Sequence, residues 1–165
     1  MTAEDLPADA VARVITVSDR SHGGLRHDES GPLLAGLLRE LGFSAADVVL
    51  VPDEVPEIEA ALRTAVDAGV DLVVTTGGTG FAPRDVTPEA TRRVIEREAP
   101  GLAEALRSFN RDKVPTTILS RAVAGVTGTT VVVNLPGSTG GVRDGVEVLA
   151  PVIGHAITQL RGGDH

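Results

Sequence analysis

Glycine, threonine and aspartate carry the chemistry this sequence offers. The run Thr75-Thr76-Gly77-Gly78-Thr79-Gly80 leaves a β-branched apolar stretch and turns ahead of a helical segment. Glycines let backbone N–H groups close on an anion, and the hydroxyls of Thr76 and Thr79 add donors. The same residues also suit a tight strand-to-loop turn that holds no ligand. Asn134-Leu135-Pro136-Gly137-Ser138 repeats the arrangement after another β-like run. There Ser138 suits either a second anion contact or a plain helix N-cap. Two such turns in one sheet point to a small molecule carrying phosphate groups.

Carboxylates come next, because an acidic protein that binds phosphates needs compensating cations, and Mg²⁺ held by Asp or Glu is the usual means. Asp53 ends the second β-like run, and Asp85 lies in Arg84-Asp85-Val86-Thr87-Pro88. Thr87 is better placed than Asp85 to cap a helix with Pro88 at its first position, which leaves Asp85 without a capping task. Asp53 also suits a turn before Pro56. Arg20, Arg84, Arg121 and Arg143 are the basic side chains near these turns. The one lysine, Lys113, is followed by valine, so neither a phosphate-binding-loop lysine nor a lysine nucleophile of the covalent adenylating ligases is present. His22, His27, His155 and His165 form no His-Glu-x-x-His site, and no Gly-x-Ser-x-Gly elbow occurs. His22 and His27 lie in the loop after the first strand, within reach of a ligand.

The elements that must position these groups follow from periodicity. Residues 12–18 form a short, nearly continuous apolar run, the mark of a strand covered on both faces. Helical spacing runs from Ser30 to Leu41 and stops at Gly42. Residues 48–51 read as a second strand, 56–69 as a helix, and 71–75 as a third strand. A helix is expected from Thr87 to about Glu98, Pro100-Gly101 interrupts it, a shorter helix runs to Phe109, and a polar loop spans 110–115. Residues 122–126 and 130–135 flank Thr127-Gly128-Thr129 with the spacing of a hairpin. A last periodic segment, 138–160, must kink or divide at Pro151. This alternation predicts a single α/β domain over 1–165, with frayed ends at about 1–10 and 161–165. Its architecture should be three-layer and doubly wound, a mostly parallel sheet with an antiparallel edge hairpin, and its ligands should gather beyond the carboxyl ends of the strands.

Composition narrows the partners. The 165 residues hold three Phe, no Trp, no Tyr and no Cys, with a net charge of −8. Base stacking on aromatics and non-specific phosphate attraction are both poorly served, so nucleic acid is not an expected partner. The same lack of Tyr and Trp argues against a flavin carrier. Disulfides and thiolate chemistry are excluded, and no apolar run approaches the ~18 residues needed to span a bilayer. The expected location is cytoplasmic, with no membrane partner.

In order and spacing, Ser18-Asp19, Asp28, Ser30-Gly31-Pro32, Thr75 to Gly80, Arg84 to Ala90, Ser120-Arg121 and Asn134 to Ser138 resemble the MogA/MoaB family of molybdenum cofactor biosynthesis proteins. The similarity runs from about Arg13 to Leu160. It implies a molybdopterin-binding fold, commonly a homotrimer. For the Mog branch it also implies molybdopterin adenylyltransferase activity, in which AMP passes from Mg-ATP to the molybdopterin phosphate and pyrophosphate is released. A second branch implies a molybdopterin-binding paralogue that does not adenylylate. By the resemblance, Asp53 and Asp85 are the catalytic and metal-binding positions. Thr76, Gly77, Gly78, Thr79, Gly80, Ser120, Arg121, Asn134, Pro136, Gly137 and Ser138 are the substrate-binding ones. A molybdenum-insertion partner is left open. One departure is Thr139-Gly140-Gly141-Val142-Arg143 after Ser138, where many members resemble a Pro-Lys continuation; Arg143 is then the substitute basic group.

Overall fold

The β-branched runs of the sequence become the centre of one sheet. Strands β1 (Val11–Val17), β4 (Leu72–Thr76) and β7 (Thr130–Leu135) pair in parallel, with Thr16 opposite Thr76 and Thr76 opposite Leu135. Every residue of β4 and β7 is buried, which is why both read as continuous apolar or threonine-containing stretches without alternation. The computed structural model describes residues 3–45 and 48–163.

Two short strands, β2 (Ser44–Ala45) and β3 (Val49–Val51), pair in parallel with the outer side of β1. On the other side β6 (Ala124–Thr127) runs antiparallel to β7, and β5 (Arg97–Glu98) runs antiparallel to β6. The sheet order is therefore β2-β1-β4-β7-β6-β5, with β3 beside β1. Helices α2 (Ser30–Leu41), α6 (Thr139–Leu149) and α7 (Ile153–Leu160) cover one face, burying Leu34, Leu38, Val142, Val146 and Ile157 against Val14, Val74 and Val133. Helices α3 (Val55–Asp67) and α4 (Thr87–Arg92) cover the other, with Ile58, Leu62 and Ala90 against Ile15, Val73 and Val132. This is the expected three-layer arrangement with an antiparallel edge. From β1 the chain proceeds to β3 on one side, and from β4 to β7 on the other. The carboxyl ends of β1 and β4 thus flank a topological switch point, where such sheets bind ligands.

Three expectations are corrected. The helix from Thr87 ends at Arg92 instead of Glu98, because the following residues extend the sheet. Glu96 N–H donates to Val126 C=O and Ala99 N–H to Ala124 C=O, so pairing with the edge of β6 outcompetes another helical turn. Thr87 is the first helical residue and not the cap; its hydroxyl donates to Gly77 C=O at 2.9 Å. The loops contain a short helix α1 (Asp19–His22) capped by Ser18, and a 3-10 turn at Pro115–Leu119.

The chain ends, expected to fray, carry tertiary contacts over their described residues. Ala3 N–H donates to Leu41 C=O, Leu6 packs on the core, and Arg161 binds Asp71 through Nε and one terminal nitrogen, both at 2.9 Å, and Asp9 through the other. Residues 4–6 lie directly on Gly154, where an added Cβ would stand 2.0 Å from Glu4 C=O. Gly154→Val is therefore expected to displace this segment at about 1–3 kcal/mol. Limited proteolysis should then cut within residues 3–10 and leave the remaining domain intact. Protease resistance equal to that of the parent would contradict this docking.

Candidate active site

The two glycine turns lie side by side at the switch point. Gly77 N–H donates to Leu135 C=O at 3.0 Å, and Thr76 Oγ1 donates to Pro136 C=O at 2.9 Å. Gly77 has φ +99°, and a Cβ on it would stand 2.3 Å from Val17 C=O; Gly78 has φ +69°, with Thr87 Oγ1 at the same 2.3 Å. Side chains at these positions meet both a left-handed backbone and a filled space. Gly137 packs onto Gly77 as well, its Cβ position 3.3 Å from the Gly77 Cα. The N–H groups of Gly78, Thr79, Gly80, Gly137 and Ser138 donate to nothing among the described residues. Successive free amides of this kind form an anion-binding concavity.

A cleft of about 420 Å³ opens between these turns and the loop after β1. Thr76, Gly77, Gly137 and Ser138 line one side, and Ser18, Ser21, Arg26, His27, Asp28 and Ser30 the other. Ser138 caps α6 by accepting from Gly141 N–H at 3.0 Å, so the capping and cleft-lining roles coexist. In the floor, Thr16 is 3% exposed and its Oγ1 has no hydrogen-bond partner. A buried hydroxyl without a partner is uncommon and marks a place where a ligand or water completes the bonding. Thr16, Ser21 and Arg26 are cleft residues that the sequence did not single out. Thr16 sits inside an apolar strand and Arg26 in a loop without periodicity, so only their spatial convergence marks them.

Beside the Gly78 to Gly80 turn, three carboxylates gather. Asp19 and Asp53 exchange bonds: Asp19 N–H donates to Asp53 Oδ2 at 2.8 Å, and Asp53 N–H to Asp19 Oδ1 at 2.9 Å. Asp53 Oδ1 comes within 3.2 Å of the Cβ position of Gly78, and Asp85 Oδ2 within 2.9 Å of that of Gly80. Asp85 also accepts Ala82 N–H at 3.0 Å, which orients its carboxyl in the turn. Burial pushes the Asp53 carboxyl above the usual range, and the negative charges of Asp19 and Asp85 add to that rise. Asp19 is held below its ordinary value by the bond from Arg84. Arg84 is occupied by Asp19 and Glu54 and leaves the cleft wall to other cations.

Other expected substrate contacts take supporting positions. Arg121 donates Nε to Gly80 C=O at 2.9 Å, a terminal nitrogen to Asp85 C=O at 2.7 Å, and the other to Glu89, so it braces the loop that carries Asp85. Asn134 is fully buried: its amide nitrogen donates to Thr75 and Thr91 hydroxyls, and its oxygen accepts Val123 N–H. Thr91 in turn donates to Thr87 C=O. Asn134 thus supports the turn from below. Thr79, Gly80, Ser120 and Pro136 line a second hollow on the far side of Ser138, of about 400 Å³. Arg20 and Arg143 are exposed side chains outside both hollows.

Among the described residues no group of three or more His, Asp or Glu side chains is arranged to hold a metal by itself. Asp53 and Asp85 are hard oxygen donors beside Gly78 and Gly80. That donor set fits Mg²⁺, which commonly takes one or two carboxylates and completes its shell with substrate phosphates and water.

Fold and cleft together define an α/β domain that binds an anionic small molecule at its switch point, and known proteins place it more narrowly. Residues 13–155 match the family described as a probable molybdopterin binding domain, and the chain belongs to the MogA/MoaB family of molybdenum cofactor biosynthesis proteins. The Mog protein of Mycobacterium ulcerans is 49% identical, with a TM-score of 0.87 over 92% of this chain and 99% of that one. A Helicobacter pylori protein named molybdopterin adenylyltransferase is 38% identical over 90% of this chain and 86% of its own length. A Chlorobaculum tepidum molybdenum cofactor biosynthesis bifunctional protein is also 38% identical, over 92% of this chain; the chain spans about half the length of that relative.

The charge arrangement yields a test. A carboxyl whose pKa is raised in the folded state disfavours folding above that pKa and is neutral to stability below its unfolded value of ~3.9. Asp53→Asn removes the charge and keeps an acceptor for Asp19 N–H. The variant should melt above the parent at pH 7, and the difference should disappear as pH falls to about 4. A lower melting temperature at pH 7 would show that the Asp53 charge is stabilising in place.

Proposed function

We propose that the chain is a molybdopterin adenylyltransferase acting in molybdenum cofactor biosynthesis in the cytoplasm. The observation that carries this reading is the set of amides at Gly78 to Gly80 and Gly137 to Ser138 that donate to nothing among the described residues, with the Asp53 and Asp85 carboxylates beside Gly78 and Gly80. The relatives that bear this name support it.

In the reaction, a phosphate oxygen of molybdopterin attacks the α-phosphorus of ATP, the bond from that phosphorus to the bridging oxygen breaks, and pyrophosphate leaves. A phosphomonoester has its second pKa at ~6 and is mostly dianionic at neutral pH, so the nucleophile needs no protein base. The task of the chain is to hold two anions in line and stabilise the charge between them. The free amides of the two turns orient phosphate oxygens, and the Thr16 hydroxyl gains its missing partner from the ligand. Arg26 at the cleft wall offsets negative charge, and His27 lines the same wall. Asp53 and Asp85 would hold Mg²⁺, which supplies charge neutralisation between the phosphates when bound. Arg121 and Asn134 keep the Asp85 loop and the glycine turn in register.

The same reading includes a homotrimer. Phe109 and Ile118, 46% and 59% exposed, lie at the end of α5 (Pro100–Ser108) and in the 3-10 turn, and we assign them to contacts between copies. Mass measurement at micromolar concentration should give three chains, and a monomer would refute the assembly.

A second reading is a molybdopterin-binding paralogue without adenylylation. Asp85→Asn separates the possibilities. Its size and hydrogen bonding are preserved, so the fold should persist, while removal of a well-placed electrostatic group costs about 10²–10³ in turnover. Pyrophosphate release from ATP with molybdopterin should fall by that factor while molybdopterin still binds. No release from the parent protein would support the paralogue, and near-parental release from the variant would remove Asp85 from the chemistry.

A further inference from the structure

A peptide unit is planar and trans, so a C=O and the N–H that follows it point in opposite directions. Where a carbonyl is held, the next amide is aimed. Gly77 C=O accepts the Thr87 hydroxyl at 2.9 Å, and Gly78 C=O accepts Thr87 N–H at 3.1 Å. The N–H groups of Gly78 and Thr79 are therefore turned away from Thr87. Thr87 is fully buried and Gly78 only partly, so away from Thr87 is toward the surface. Gly137 N–H is aimed in the same way, since Pro136 C=O accepts the hydroxyl of the fully buried Thr76 at 2.9 Å. Thr79 C=O accepts Arg121 N–H at 2.8 Å, which turns Gly80 N–H away from Arg121.

These holds differ in kind. Those on Gly78 and Thr79 are backbone N–H groups, which no side-chain substitution removes. Those on Gly77 and Pro136 are threonine hydroxyls. The Gly77–Gly78 peptide has glycine on both sides, so turning it over needs rotation only about bonds that no Cβ restricts. Turned over, it would present a carbonyl oxygen to an anion in place of a donor. We infer that Thr87 and Thr76 are positioning residues for the anion site: their buried hydroxyls fix the peptides whose amides receive phosphate oxygens. Thr87 does so from the layer beneath, without lining the cleft. This rests on phosphate binding at the two turns, as the adenylyltransferase reading has it, and deepens that reading by saying what aims the donors.

The probe is inorganic pyrophosphate with Mg²⁺, titrated calorimetrically against the full chain. Residual dipolar couplings of isotope-labelled protein give the direction of the Gly78 N–H bond in the absence of ligand. Thr87→Val keeps the branched shape and removes the donor. It should change that direction relative to β4 and weaken pyrophosphate about 10–100-fold, as for loss of a hydrogen bond to a charged group. Thr87→Ser retains the hydroxyl and should bind pyrophosphate like the parent. Thr130→Val is the control: Thr130 is buried at the amino end of β7, and its hydroxyl donates to Val70 C=O at 2.6 Å. It should lower the melting temperature as Thr87→Val does and leave pyrophosphate affinity unchanged. Thr76→Val carries the same test to Gly137 and takes the place of Thr87→Val should that variant not fold. Unchanged affinity or an unchanged Gly78 N–H direction in Thr87→Val would overturn the proposal. So would an equal loss of affinity in Thr130→Val, or failure of the parent to bind pyrophosphate. If ATP and molybdopterin yield no pyrophosphate while Thr87→Val still loses the probe, adenylylation fails and the positioning role stands.

Discussion

Parallel pairing of β4 with β7 is the constraint on which the site depends. The bond from Gly77 N–H to Leu135 C=O extends that ladder one step past the strands, and the Thr76 hydroxyl reaches Pro136 C=O just beyond. These two contacts merge turns that are about 60 residues apart in sequence into a single surface. Both turns contribute amides that donate to nothing among the described residues. Beneath them the Asn134–Thr91–Thr87 chain of hydrogen bonds ties the turn to α4 in a fully buried layer. Each member is satisfied, which makes such a network rigid instead of costly.

The charges around this surface work against the fold. Asp19, Asp53 and Asp85 approach one another on an already acidic protein, and the Asp53 pKa is raised first by burial and then by these neighbouring charges. Arg84 pairs with Asp19 and Glu54 and acts on Asp53 only as a minor offset, and Arg121 serves the Gly80 and Asp85 carbonyls and Glu89. The carboxylates are thus held in place by backbone N–H groups and loop geometry more than by counter-charges. A site of this design is tuned for a bound state in which further positive charge arrives with the ligand.

How much of this was legible in the residues depends on the range of the interactions. Strands β1, β4 and β7 announce themselves by β-branched runs, and the glycine turns by their position after those runs; both signals are local. The segment after Arg92 reads as helix in isolation because the competing partner, the edge of β6, lies some thirty residues downstream. Asn134 and Arg121 sit inside turn motifs and so resemble ligand contacts, but most of their partners are 32 to 59 positions away and turn them inward. The orphan hydroxyl of Thr16 is the reverse case: an apolar strand context conceals a polar atom that faces a cleft.

The anchoring of Arg161 to Asp71 and Asp9 has a geometric corollary. Asp9 precedes β1 and Asp71 precedes β4, so this clasp gathers the start and the finish of the described chain at the amino ends of the strands. The cleft lies at the carboxyl ends, on the opposite pole of the sheet. A surface tether or a fused partner attached beside either terminus therefore holds the molecule with its opening turned toward bulk solution, and the polarity of a parallel sheet becomes an orientation handle.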